Sequence, residues 1–593
     1  MMNSEQFTAS AVGQAIEKLY GERVEEKMIQ IQTTRKDFEG DITAVMFALS
    51  KISKSSPEKT GEEIGRYLVE NYTEVSAFCV VKGFLNISFS FAYWMDIFKK
   101  IYAAEDYGQA PKSGKRVMVE YSSPNTNKPL HLGHIRNNLL GWSVSKLLEA
   151  NGHEVIKVNL VNDRGVHICK SMIAWERIAN GETPESSGMK GDHLVGKYYV
   201  AFNEMLKKEV EQLKCSGYSD DEAERNAPIL KDVQNMLVKW EQGDKDVVDL
   251  WRTMNSWVYA GFDKTYGMLG VSFDKIYYES DTYLLGKELV NIGLQNGAFC
   301  KREDGSVWCD LTSEGLDEKL LLRSDGTSVY MTQDLGTALE RFMEYNFDEL
   351  IYVVGNEQNY HFQVLKLILK KLGYEWAENI YHLSYGMVEL PEGKMKSREG
   401  TVVDADELID SMIETARETS LELGKLEDMD EEERGNLFKM LGLGALKYFI
   451  IKVDSKKTML FDPKESIDFN GNTGPFIQYT HTRIKSIIRK AKEVGIVSAI
   501  TGASLLPKEI GIIKILNLFP SKIIEAGNEH SPALIANYVY ELAKEFNQYY
   551  HEVAILRESD EKIRSQRLAL IEVIARVLKK ATGILGISLP ERM

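Results

Sequence analysis

Ser122-Ser123-Pro124-Asn125-Thr126-Asn127-Lys128-Pro129-Leu130-His131-Leu132-Gly133-His134 follows an apolar-rich run, Arg116-Val117-Met118-Val119-Glu120-Tyr121, whose composition predicts a β-strand. Beyond it, Ile135 to Ala150 carries apolar residues at helical spacing. A strand, a proline-broken turn and a helix N-terminus make an anion site, because unpaired amides and the helix dipole favour phosphate. Gly133 lets a flat ring or a phosphate approach the backbone, and each imidazole can donate to a phosphate oxygen. His-x-Gly-His alone is a short pattern that also suits structural histidines. Its position at the carboxyl end of a strand is what points to a ligand crevice.

A second strand, Val155 to Val161, lies within about fifty residues of the first, so strand, helix and strand form a βαβ unit and predict a parallel, doubly wound sheet. The sheet resumes after an insertion. Residues Gly326 to Leu335 run into a helix, and Glu349 to Val354 read as a buried strand ending in Gly355-Asn356-Glu357-Gln358-Asn359-Tyr360-His361. Tyr330 and Asp334, four apart, share one helical face. They are open to two readings, a surface carboxylate beside a half-buried ring or a carboxylate aimed at the crevice. Glu392-Gly393-Lys394-Met395-Lys396-Ser397-Arg398-Glu399-Gly400 is a glycine-flanked loop with three cations in five residues, either a clamp for polyphosphate or a solvated turn.

At 593 residues the chain exceeds a single core, and about three to five domains are expected. Residues 1 to 111 are predicted to form a small α+β unit. Its helices are placed at Phe7–Tyr20 and Gly61–Asn71, with a buried helix at Ala44–Ile52. Its strands are placed at Met28–Gln32 and Phe84–Phe89, with a turn at Gly40-Asp41, and nothing in it looks catalytic. The catalytic unit spans 112–400. Its segment 184–270, rich in Lys, Glu, Asp and Trp, reads as a helical insertion and a solvated lid rather than a site. From Thr401 onward helical periodicity dominates, with helices expected at Glu407–Glu422 and Met429–Ile451. Basic residues such as Arg483, Arg489 and Lys579 lie among tyrosines on the last helices, which suits backbone contact and base stacking, while Tyr538 and Phe546 read as bundle core.

Composition excludes several classes. A formal charge of −16, from 72 basic and 88 acidic residues, argues against indiscriminate nucleic-acid binding but permits a local basic face. No apolar run approaches a membrane span. Met1-Met2-Asn3-Ser4-Glu5-Gln6 lacks the charge and apolar core of a signal peptide. Five scattered cysteines without a Cys-x-x-Cys pair predict neither zinc nor a disulfide framework, and fit a reducing cytoplasm.

With both phosphate-facing motifs in view, the chain resembles class I aminoacyl-tRNA synthetases. His131-Leu132-Gly133-His134 matches the first signature of that class, and Lys394-Met395-Lys396-Ser397-Arg398 matches the second imperfectly. Within the class it looks like the arginyl family. That likeness rests on Ser123-Pro124-Asn125, Tyr330-x-x-x-Asp334, Gly471 to Tyr479, Leu589 to Met593 and Phe38-Glu39-Gly40-Asp41, and it spans the whole chain.

The resemblance implies a multidomain α/β protein. A Rossmann-like, doubly wound catalytic domain would be flanked by an α+β N-terminal domain gripping the tRNA elbow, a helical linker at 401–474 and an all-α anticodon-binding bundle at 475–593. It implies activation of L-arginine by ATP, with Mg2+ accompanying the nucleotide and no metal held by the protein, then transfer to tRNA(Arg). A monomer in the cytoplasm is expected. By resemblance, Ser123, Pro124, Asn125, His134, Tyr330, Asp334 and Gln358 bind arginine, while His131, Gly133, His134, Lys394, Met395, Lys396 and Arg398 bind ATP. Catalysis is assigned to His131, His134, Lys128 and Lys394. The sequence departs from the class pattern where Ser397 replaces the second loop lysine. The family is thought to compensate with a lysine just ahead of the histidines, the place of Lys128. Other readings are a cysteine- or glutamate-specific synthetase, a small-molecule nucleotidyltransferase with the same motif, and a non-catalytic tRNA-binding paralogue.

Overall fold

The computed structural model describes residues 4–35, 37–389, 403–422 and 429–593. Its centre is a five-stranded sheet in the spatial order Ile380–Tyr385, Glu349–Gly355, Arg116–Glu120, Glu154–Val161, Lys275–Tyr278. All four neighbouring pairs are parallel. The chain winds from the central strand to one edge, then returns to build the other. The reversal point falls between Arg116–Glu120 and Glu349–Gly355, the place where open α/β sheets form a ligand crevice.

Alternation along the strands explains the layers. Val117, Val119, Ile351 and Val353 face Leu140, Val144 and Leu148 of helix Leu132–Ala150. Met118, Ile156, Leu350 and Tyr352 face the other way, into a core shared with helices Tyr330–Tyr345 and Asn359–Lys371. Gly141 allows the first contact to be close, since a Cβ there would stand 2.3 Å from the Tyr121 ring.

The N-terminal unit is a four-stranded antiparallel sheet in the order Ile31–Thr33, Ile42–Val45, Phe84–Phe89, Val75–Val81. The helix expected over Ala44–Ile52 is corrected. Ile42–Val45 is an inner strand, and only Ser50–Ser53 is helical. A strand flanked on both sides and buried on both faces presents a continuous apolar run, which periodicity alone does not separate from a buried helix. The first strand also starts later than Met28, which closes a short 3-10 turn.

The insertion is likewise corrected. Its charged residues suggested a solvated lid, yet Leu194, Val195, Tyr198 and Phe202 on Gly191–Cys215 and Met254, Val258 and Phe262 on Lys245–Leu269 are buried, in one core with Val166–Ile178. The two helices touch through Gly191, where a Cβ would meet the Trp257 carbonyl oxygen at 2.1 Å. Charge counting weighed the outer faces and missed this stripe.

The C-terminal part is helical as expected, apart from a two-residue strand, Met459–Leu460, paired with Val388–Glu389. Tyr538 and Phe546 are core. The bundle also holds the N-terminal unit: Tyr107 Oη donates to the Leu516 carbonyl at 2.9 Å, and Arg576 donates to the carbonyls of Ile101 and Tyr102. Among the described residues no helix is long and apolar enough to cross a membrane.

Candidate active site

The carboxyl ends of the strands open into a cavity of about 1090 Å³. It gathers Ser123 and Asn125 from the turn after the first strand, Tyr330 and Asp334 from the start of helix Tyr330–Tyr345, and Gln358 from the turn after Glu349–Gly355. Five residues scattered over more than two hundred positions thus line one space. Pro124 is buried under the turn, its carbonyl accepting from the Asn162 amide at 2.9 Å. Tyr330 is 75% exposed, so its ring is free to lie against an incoming group.

Carboxylates line the cavity together with the cations Arg164, Lys287 and Arg323. Asp334 Oδ2 stands 2.6 Å from Nε2 of His361, which sits on the facing helix. Glu279, just past strand Lys275–Tyr278, also lines the space. Burial pushes its carboxyl up to about 7, with Asp163 and Asp334 adding to the rise and Arg164 opposing it. At the floor Glu120, itself a lining residue, forms an ion pair with the fully buried Arg341 and accepts the Ser123 hydroxyl at 3.3 Å. A cation with several donors fits these carboxylates, because they accept bidentate bonds and burial strengthens each pair.

The histidine motif stands at the mouth of helix Leu132–Ala150, and Lys128, His131, Gly133 and His134 are not among the residues that line the cavity. His131 is the N-cap. Its Nδ1 accepts from the Gly133 amide at 3.1 Å, while Nδ1 of His134 accepts from the His131 amide at 3.2 Å. Because backbone amides only donate, both Nδ1 atoms must be unprotonated, which leaves Nε2–H as the free donor on each ring. Burial, with Lys128 nearby, lowers the His131 imidazole to about 4, partly opposed by Asp404. His134 is pushed down as well, by burial first, then by His131 and Lys128. Two neutral rings 3.9 Å apart at a helix N-terminus present N–H donors without a positive charge of their own. Lys128 supplies that charge. Its backbone is held by insertion helix Gly191–Cys215 at Gly196, where a Cβ would come within 2.9 Å of Pro129 Cδ.

The segment following the cationic loop is fastened to this motif. The Leu132 amide donates to Val403 O at 2.9 Å and the Ala405 amide to Leu130 O at 3.0 Å, and His131 bridges Asp404. Lys394, Met395, Lys396 and Arg398 themselves lie outside the described residues.

Sequence reasoning missed Glu279, His361 and Arg341. His361 was legible in principle, one turn beyond Gln358. Glu279 and Arg341 carry no local pattern, since their partners come from distant strands. The insertion also contributes wall residues, Leu237 and Glu241, which its reading as a mere lid excluded.

Comparisons with known proteins agree along the entire chain. Residues 97–462 match the model for tRNA synthetases class I (R), catalytic domain; residues 6–89 match the arginyl tRNA synthetase N terminal domain; residues 477–593 match the DALR anticodon binding domain. An arginine–tRNA ligase of Bacteroides thetaiotaomicron is 56% identical over 597 residues, covering 100% of both chains. One from Flavobacterium psychrophilum is 53% identical, also at 100% of each. Among solved structures, the Thermus thermophilus arginyl-tRNA synthetase superposes with a TM-score of 0.81 at 26% identity and full coverage of both chains. With these matches over a chain folded around a crevice at the sheet's reversal point, the chain belongs to the arginine–tRNA ligases of class I.

Proposed function

We propose a division of labour among these residues in arginine–tRNA ligation. Asp334 receives the guanidinium, Tyr330 lies along it, and Glu279 adds a second carboxylate. Ser123, Asn125, Gln358 and His134 hold the amino acid's main chain, with Pro124 fixing the turn. The observation that carries this reading is the meeting of Tyr330 and Asp334 on one helical face with Ser123, Asn125 and Gln358 in a single cavity. A guanidinium is planar, permanently charged and rich in donors, so an analogue lacking them leaves the cavity carboxylates unpaired and is rejected by about 10⁴-fold.

Activation is attack of the arginine carboxylate on the α-phosphate of ATP, with pyrophosphate leaving. The nucleophile arrives with the substrate, so the protein positions and stabilises charge in line. Mg2+ enters with ATP as part of that substrate. Nε2–H of His131 and His134 donate toward the phosphates at the helix N-terminus, and Gly133 keeps the backbone approachable. Lys128 and Lys394 are assigned to the departing pyrophosphate. Met395, Lys396 and Arg398 complete the nucleotide site by resemblance. Arginine then passes to the terminal ribose hydroxyl of tRNA(Arg).

The N-terminal unit, residues 1–111, is assigned to the tRNA elbow and the bundle from 475 to the anticodon, with 112–400 catalytic and 401–474 linking them. The protein acts as a monomer in the cytoplasm. Pyrophosphate exchange, run with each amino acid in the presence and absence of tRNA(Arg), tests the whole reading. Exchange with arginine alone, dependent on tRNA(Arg), is expected. Efficient exchange with another amino acid would overturn it.

A further inference from the structure

Ser122 and Ser123 are consecutive non-glycine residues with φ of 82° and 45°. L-residues rarely enter this left-handed region, and such strain persists only where neighbours over-determine it. Here both amides are captured by side chains. The Ser122 amide donates to Asn137 Oδ1 at 2.5 Å, and the Ser123 amide donates to Asn159 Oδ1 at 3.0 Å. Asn137 and Asn159 are both buried, and each is fixed in turn. Asn137 donates to the Val353 carbonyl at 2.7 Å, and Asn159 donates to Tyr266 Oη at 3.3 Å.

Tyr266 closes the circuit. Its hydroxyl lies 2.7 Å from Ser122 Oγ, and the residue is 5% exposed. It comes from the last helix of the insertion, Lys245–Leu269, and reaches under the strand ends from outside the sheet. Its ring packs edge-on against Phe273, which leans on Tyr121. Phenylalanine would fill that aromatic space equally well. The hydroxyl adds only the link between Asn159 and Ser122, the two groups that fix the strained turn.

We propose that Tyr266 is a positioning residue for arginine binding, acting through the Ser122–Ser123 turn to aim Ser123 into the cavity. This rests on the assignment of Ser123 to the amino acid's main chain. The insertion then serves as a brace for the amino-acid side of the site. The nucleotide side depends less on this brace, because the histidine motif has anchors of its own in its capping bonds and in Val403.

Tyr266→Phe in the full-length enzyme tests this by steady-state pyrophosphate exchange with tRNA(Arg) present. An arginine KM about tenfold higher is expected, the effect of one well-placed hydrogen bond. The KM for ATP should stay as in the parent, and the thermal midpoint should fall by no more than about two degrees, the effect of unpairing the buried Asn159 amide and Ser122 hydroxyl. Ser123→Ala should raise the arginine KM as well, and adding Tyr266→Phe to it should add little, since both changes remove one coupled unit. An unchanged arginine KM in Tyr266→Phe, beside a raised one in Ser123→Ala, overturns the proposal. So does a parallel rise in the KM for ATP or a fall of several degrees in the midpoint, which would mark a merely structural tyrosine. If Ser123→Ala leaves the arginine KM untouched, the Ser123 assignment itself fails, and the route through it with it.

Discussion

Asp334 and His361 meet across the cavity at 2.6 Å, carboxylate to imidazole, from helices that follow different strands. The contact fixes one carboxylate oxygen and leaves the other for a guanidinium. Asp334→Asn keeps the shape and removes the charge. It should raise the arginine KM by about 10²-fold or more, since a charge-assisted bond is lost and a buried cation is left without its partner. The KM for ATP should not move. Exchange kinetics with both substrates varied will show whether that split holds.

With Glu279 in the proposed arginine site, arginine binding should depend on pH. Its carboxyl, raised by burial to about 7, keeps a proton in the empty cavity under mildly acidic conditions. A guanidinium favours the ionised form, so binding below that pH must expel the proton. The arginine KM should therefore fall as pH rises from about 5.5 to 7.5 and level off above, and Glu279→Gln should flatten the profile. For the empty fold the sign is opposite. Stability from this group is present below the ordinary carboxylate range and is lost as pH climbs through about 7. Chemical-denaturation midpoints of parent and Glu279→Gln across that range check the second arm.

Much of the fold was legible because strand and helix periods differ and because the ends of strands announce themselves with Ser, Pro, Asn and Gly. Ser123, Asn125 and Gln358 stand at such ends, but it was the family resemblance that assigned them to the amino acid. Tyr330 and Asp334 were ambiguous until the helix was seen to start at Tyr330 and point both into the cavity. Glu279 was invisible because its role comes from desolvation, a property of surroundings rather than of neighbours in sequence. Ile42–Val45 misled for a related reason: a strand buried on both faces loses its alternation. Insertion helices misled through their charged outer faces, which hid a regular apolar stripe.

Lys128 stands three residues before the first histidine, and its charge bears on both imidazoles. Lys128→Ala should lower the turnover of pyrophosphate exchange by about 10²-fold, the size of effect seen when one preorganised charge is removed from a transition state. The arginine KM should stay within about twofold, because the side chain is not part of the cavity wall. Unchanged turnover would shift the role to the loop cations.

Arg341 carries a stability prediction. It is buried beneath the cavity floor against Glu120, with the Tyr277 ring beside it. Arg341→Ala leaves Glu120 charged and unpaired in the core, at a cost of about 3–5 kcal/mol. Arg341→Met with Glu120→Gln should recover most of that loss, because the uncompensated charge is gone. Denaturant titrations of the three proteins distinguish the terms.

Arg136 follows the second histidine by two residues and is completely buried. Its guanidinium donates to the carbonyls of Gly386 and Met387 at 2.9 and 3.0 Å, and to those of Ser455 and Lys457 at 3.0 and 2.9 Å. One side chain thereby spokes the histidine helix to the end of the last sheet strand and to the segment descending from helix Glu431–Ile451. Because one planar group holds all four carbonyls, a shift of any of these stretches strains the bonds that hold the others.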